Sequence, residues 1–308
     1  MRTIKKILLI ILLLSFYNLN AQNNKKVKKD NIFQTSGKVI KNSILTIPSD
    51  FVFMGKEISN DWKKTGYYAA GILGLIATDK ITTKFLHQHI EPKINYNLPN
   101  INLVNSTTSQ QWLIGDNAYL TYPIIGVYIG SFLSNKEKGQ YASINALKAI
   151  QYSTIITQLS LKTIFGRNRP HRPLYETATS PWTNDNWDFF NARKEYLFSS
   201  PEGSALPSLH TTAYFALAKV FQMEYNNYWI PYGLMSIAWL SNIKGHNHWV
   251  SDIVLGGIVG TIIGKSIVLS SWKKRGISDA PKKEKHISYN ITPQYSPEFT
   301  GIRIVGNF

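Results

Sequence analysis

Three short clusters hold the side chains best suited to chemistry. Lys162 is followed seven residues later by Arg169-Pro170. Pro207-Ser208-Leu209-His210 forms the second cluster. The third is a polar run from Ser241 to Asp252, carrying Asn242, Lys244, His246, His248 and Asp252 between two apolar segments. Burying such groups is costly unless they are paired or hydrogen-bonded.

Together the residue types point to an anion. Lys162 and Arg169 share a face if one helix carries both, and two fixed cations suit a dianion such as phosphate. Ser208 is placed to cap a helix and leave its first N–H groups facing an anion, with His210 in the same turn. His248 and Asp252 stand four apart on one helix face. The carboxylate can then hold one ring nitrogen and leave the other as a nucleophile.

The elements that must position these groups are helical. Apolar periodicity predicts helices over 61–87, 112–133, 143–165, 207–223, 228–240 and 249–269, with Pro123 kinking or breaking the second. Residues 44–59 read as a short amphipathic helix. The last of the six carries Gly256, Gly260 and Gly264 at spacing four, a face that admits close helix contact. Between the third and fourth lies a long connection, 174–205, rich in aromatics and read as a lid over a site. The fold class is all-α, a six-helix bundle with a short C-terminal β-hairpin from alternating residues in 286–308.

The organisation expected is a signal peptide over 1–21, a basic linker over 22–43, a helical domain over 44–272, a second basic linker over 273–285 and the strand pair over 286–308. Arg2, Lys5 and Lys6 precede the apolar run 7–16, the layout of an export signal. This implies a bacterial periplasmic or membrane-bound protein whose site faces the periplasm. Cysteine is absent, excluding disulfides and thiolate metal sites. The net charge of +16 implies an anionic partner. The lysines cluster in tails rather than along one stripe, so nucleic acid is not expected. Membrane association is expected, and oligomeric state is left open.

The ordered motifs resemble the phosphatidic acid phosphatase type 2 superfamily, which includes bacterial acid phosphatases and vanadium haloperoxidases. Its signature is Lys-x6-Arg-Pro, Pro-Ser-Gly-His and Ser-Arg-x5-His-x3-Asp. This chain has Lys162 to Pro170 intact, Pro207-Ser208-Leu209-His210, and Ser241-Asn242-x5-His248-x3-Asp252. The resemblance implies a metal-independent phosphatase without cofactor, acting on a phosphomonoester or pyrophosphate through a phosphohistidine. A phosphorylated lipid or prenyl pyrophosphate is the favoured substrate. It implies His248 as nucleophile, Asp252 as its orienting group and His210 as general acid. Lys162, Arg169, Ser208, the backbone of Leu209 and Asn242 would bind phosphate.

Two positions depart from the pattern. Leu209 stands where Gly is usual, and Asn242 where Arg is usual, removing one cation; Lys244 or Arg167 is a candidate replacement. Three other readings stand beside this one. His246, His248, Asp252 and His210 suit a zinc site, but that leaves Lys162, Arg169 and Ser208 without a role. A vanadate-dependent haloperoxidase would use the same scaffold, and a non-catalytic phosphate- or lipid-binding scaffold would tolerate Asn242.

Overall fold

A computed structural model describes residues 30–99, 118–174, 176–193, 201–243, 247–277, 288–296 and 299–307, without the side chains of Asn242 and of the two C-terminal strands. The expected signal peptide lies outside the described residues. Eight α-helices appear among them: those matching the six of the expected bundle, the short helix expected over 44–59, and one that was not expected.

The unexpected helix comes first. α1 (Ile32–Leu45) lies in the stretch expected as a basic linker. It forms because Asn31 and Gln34 make a reciprocal capping box, and because Val39 and its neighbours bury one side. α2 (Ile47–Ser59) follows after one residue, with Pro48 in its first turn. Buried Asp50 fastens it to the bundle, accepting from Lys148 Nζ at 2.8 Å and Tyr152 Oη at 2.9 Å.

α3 (Trp62–Phe85) starts at Asp61, whose carboxylate accepts from the Lys64 N–H. It buries Ile72, Ile76, Asp79 and Thr83 and leaves Tyr67, Leu73 and Ile81 exposed. α4 (Ala118–Leu133) runs through Pro123 without ending, so of the kink or break expected there the break does not occur. α5 (Glu137–Ser153) continues as a π-helical stretch (Thr154–Leu161) and one last α turn (Lys162–Phe165).

α6 (Leu209–Tyr225), α7 (Trp229–Asn242) and α8 (Val250–Arg275) complete the bundle. α8 extends past the expected boundary at 272. Its last turn holds Lys273, Lys274 and Arg275, where cations meet the negative end of the helix dipole. α6 lies directly on α8. A methyl group built on Gly256, Gly260 or Gly264 would fall 2.7, 2.2 or 2.5 Å from the backbone oxygens of Ser208, Thr212 and Ala216. Glycine at these positions is therefore what sets the helix separation. The core between α5, α6 and α8 is made of Ala142, Ala146, Leu217, Val220, Ile263 and Ile267. At the C-terminus β1 (Ser288–Ser296) pairs antiparallel with β2 (Phe299–Asn307).

Candidate active site

The site is built where α5 ends, α6 begins and α8 begins. The end of α5 is sharp. Gly166 takes φ +51°, and a side chain there would fall 2.5 Å from the Asn191 carbonyl oxygen. The helix therefore does not reach Arg169, contrary to the shared-face expectation. Residues 167–171 run extended instead. The long connection embraces them on two sides: Ala205 N–H donates to Arg167 O, Arg169 N–H to Pro201 O and His171 N–H to Thr183 O. Residues 176–193 and 201–205 thus knit the site together rather than covering it as a separate lid.

Lys162 and Arg169 are buried, at 2% and 8% exposure. Lys162 Nζ donates to Gln158 Oε1 at 3.0 Å, and Arg169 Nε to Ser204 Oγ at 3.0 Å. Both partners are neutral. Among the described residues, no carboxylate lies within ion-pair distance of either cation. Burial, reinforced by Arg169 and Arg193, holds the Lys162 ammonium well below the ordinary lysine pKa, with Asp252 opposing. Burial brings Arg169 down to about 10, against the attraction of Asp252 and with the repulsion of Arg193, so it stays charged at neutral pH. Arg193, from the long connection, is a third buried cation of the cluster and bonds the Gln158 carbonyl.

Ser208 occupies the N-cap of α6 but its side chain makes no capping bond. This corrects the expected cap: the Ser208 hydroxyl accepts from Thr211 Oγ1 at 3.1 Å. The Ser208 N–H donates to the backbone oxygen of Asp252 at 3.0 Å, tying the start of α6 to the first turn of α8. Leu209 is buried and opens the helix. His210 follows it, half-buried.

His248 is 3% exposed, and its Nδ1 lies 3.3 Å from Asp252 Oδ2. The same oxygen accepts from the Trp249 N–H at 2.8 Å. In the tautomer a carboxylate favours, Nδ1 holds the proton and Nε2 keeps its lone pair. The other oxygen, Asp252 Oδ1, accepts from Arg167 Nη1 at 2.8 Å. Arg167 is fully buried between the rings of Phe189 and Trp249, and also pairs with Asp79 at 2.8 Å.

The structure therefore brings Lys162, Arg169, Ser208, Leu209, His248 and Asp252 to one place. Arg167 is consumed by two carboxylates, which corrects the suggestion that it replaces a phosphate-binding arginine. The Asn242 side chain, Lys244 and His246 lie outside the described residues. No group of three metal-ligating side chains occurs among the described residues. Sequence reading missed Arg193, a lone arginine in an aromatic-rich connection, and Asp79, which belongs to an upstream helix.

Four of these buried cations (Lys162, Arg167, Arg169, Arg193) stand with two carboxylates (Asp79, Asp252) among the described residues. Such an arrangement suits an anion beside an imidazole.

Comparison with known proteins agrees with this chemistry. The lipid A 1-phosphatase of Porphyromonas gingivalis is 36% identical over 73 residues, spanning 21% of this chain and 16% of that protein. The chain thus covers about a sixth of the length of that relative. No solved structure matches. The profile of the PAP2 superfamily matches residues 142–276, from α5 to the end of α8, a stretch that includes every motif residue placed above.

Proposed function

We propose that the protein is a phosphatase that acts on a phosphorylated lipid through a phosphohistidine. The observation that carries the reading is two buried cations, Lys162 and Arg169, hydrogen-bonded to neutral oxygens beside the His248–Asp252 pair. Lys162, Arg169 and Arg193 hold the phosphoryl oxygens, and fixed cations in a water-poor site stabilise the charge of the transition state. His248 Nε2 attacks phosphorus, the bond to the leaving oxygen breaks, and His210 protonates that oxygen. Water then attacks the phosphohistidine, giving its proton to His210. The P–N bond breaks and phosphate leaves.

Two features support a lipid substrate. A cavity of about 1170 Å³ runs between α3, α8 and the long connection, lined by Ile72, Leu73, Phe165, Phe189, Leu206 and Val254. It reaches Thr211, whose hydroxyl bonds Ser208. α8 is also long and apolar enough to cross a membrane, and Trp62, Tyr67, Phe190 and Trp229 are exposed. These support membrane association, with the site on the periplasmic side.

The test is phosphate release by the purified protein from phosphatidate, a prenyl pyrophosphate and a soluble monoester, with His248→Ala as control. Turnover of a lipid substrate that His248→Ala abolishes is expected. Binding without release by the intact protein would point to a non-catalytic scaffold.

A further inference from the structure

We infer that Asp79 is a positioning residue of the site, acting from outside the matched segment to fix Asp252 and through it His248. The inference rests on the reading of His248 as nucleophile.

Asp79 is fully buried on α3. Its Oδ1 accepts from the Ser251 N–H at 2.9 Å, and its Oδ2 accepts from Arg167 Nη2 at 2.8 Å and from the Ser251 hydroxyl. One turn later on α3, Thr83 Oγ1 accepts from the Val250 N–H at 3.1 Å. Side chains of α3 thus satisfy the first N–H groups of α8, the helix that carries Asp252.

The second connection runs through the arginine fork. Arg167 Nη2 holds Asp79 and the Asn186 carbonyl at 2.6 Å. Arg167 Nη1 holds Asp252 Oδ1 and the Ser251 hydroxyl at 2.7 Å. The guanidinium is planar and stacked, so the carboxylate on one side sets the aim on the other. Asp252 thereby has one oxygen fixed by Arg167 and the other facing His248.

Charge matters as well as aim. Asp79 is faced by Arg167 and Ser251. Asp252 is faced by Arg167, His248 and the Trp249 N–H, with Lys162 and Arg169 close by. Asp79→Asn keeps an acceptor for the Ser251 N–H but removes one negative charge. The site becomes more positive, which disfavours protonated His248. The acid limb of kcat/KM then moves to lower pH, by roughly one unit. Loss of aim lowers kcat about tenfold to hundredfold, on the scale of orienting partners of ligating side chains. KM changes little, since Lys162, Arg169 and Arg193 are untouched.

The experiment compares intact protein, Asp79→Asn, Asp79→Glu, Thr83→Val and His248→Ala on one phosphorylated substrate. Lower kcat with a displaced acid limb in Asp79→Asn, and partial rescue in Asp79→Glu, are expected. Thr83→Val is expected to lower thermal stability without moving the limb. If Asp79→Asn fails to fold, Asp79→Glu, which keeps the charge but alters the reach, carries the test through a lowered kcat with KM and the acid limb unmoved. An unchanged kcat in a folded Asp79 variant, an unmoved limb in folded Asp79→Asn, or an equal effect from Thr83→Val overturns the inference. Full activity in His248→Ala instead overturns the reading of the nucleophile.

Discussion

Arg167 and Arg169 stand two residues apart, both buried, in opposite electrostatic situations. Arg167 lies between Asp79 and Asp252, with two aromatic rings across its faces. Arg169 donates to the Ser204 hydroxyl and shares its surroundings with Lys162 and Arg193. A buried charge whose partners are inside the protein is part of the scaffold. A buried charge whose partners are neutral oxygens is arranged for something that arrives. The chain keeps the two kinds side by side on one extended segment.

The comparison breaks most sharply in stability. Arg167→Met leaves two carboxylates buried without their cation. A loss of about 3–5 kcal/mol is expected, read as the drop in unfolding midpoint in detergent. Arg169→Met removes a charge that has no carboxylate partner, so the ligand-free midpoint should hold or rise. Its activity should fall about a hundredfold to a thousandfold, the cost of one donor at the transition state. Equal destabilisation by both substitutions would erase the distinction.

pH sharpens it further. The Lys162 pKa is depressed in the folded protein, first by burial. Between that lowered value and the ordinary 10.5, the unfolded chain holds a proton that the folded one has released. Ligand-free stability should therefore rise with pH across this window, and be lowest below it, where both states are protonated. Affinity for phosphate should move the other way, weakening as Lys162 loses its proton. Melting curves with and without phosphate at several pH values give both slopes. Parallel slopes would mean that Lys162 does not face the anion.

A smaller effect is expected from Arg193→Gln. It keeps a donor for the Gln158 carbonyl and removes the charge, so KM should rise about tenfold with a lesser change in kcat. A fall in kcat alone would place Arg193 in the scaffold with Arg167.

Much of this is legible in the sequence. The helices bearing the three motifs follow from apolar periodicity, and each motif sits at a helix end as spacing implies. The glycine face of α8 does what small residues at spacing four suggest. What was hidden depended on contacts distant in sequence. Asp79 read as a charge near the end of an apolar helix, since nothing local shows that it meets Ser251 and Arg167. Arg193 sits in a connection without periodicity, where pattern says nothing of direction. Gly166 ends the helix, so Arg169 arrives from an extended segment rather than from the same helix face. Residues 32–43 read as linker because their basic residues dilute the apolar pattern, and only the reciprocal Asn31–Gln34 caps betray α1.

The central claim is that His248 receives the phosphoryl group. The direct measurement is a rapid acid- or base-quench of the purified protein with a lipid substrate carrying labelled phosphate, followed by mass analysis of the modified peptide. The account predicts a base-stable, acid-labile label on His248 in the intact protein and none in His248→Ala. Label on another residue, or undiminished turnover by His248→Ala, would contradict it.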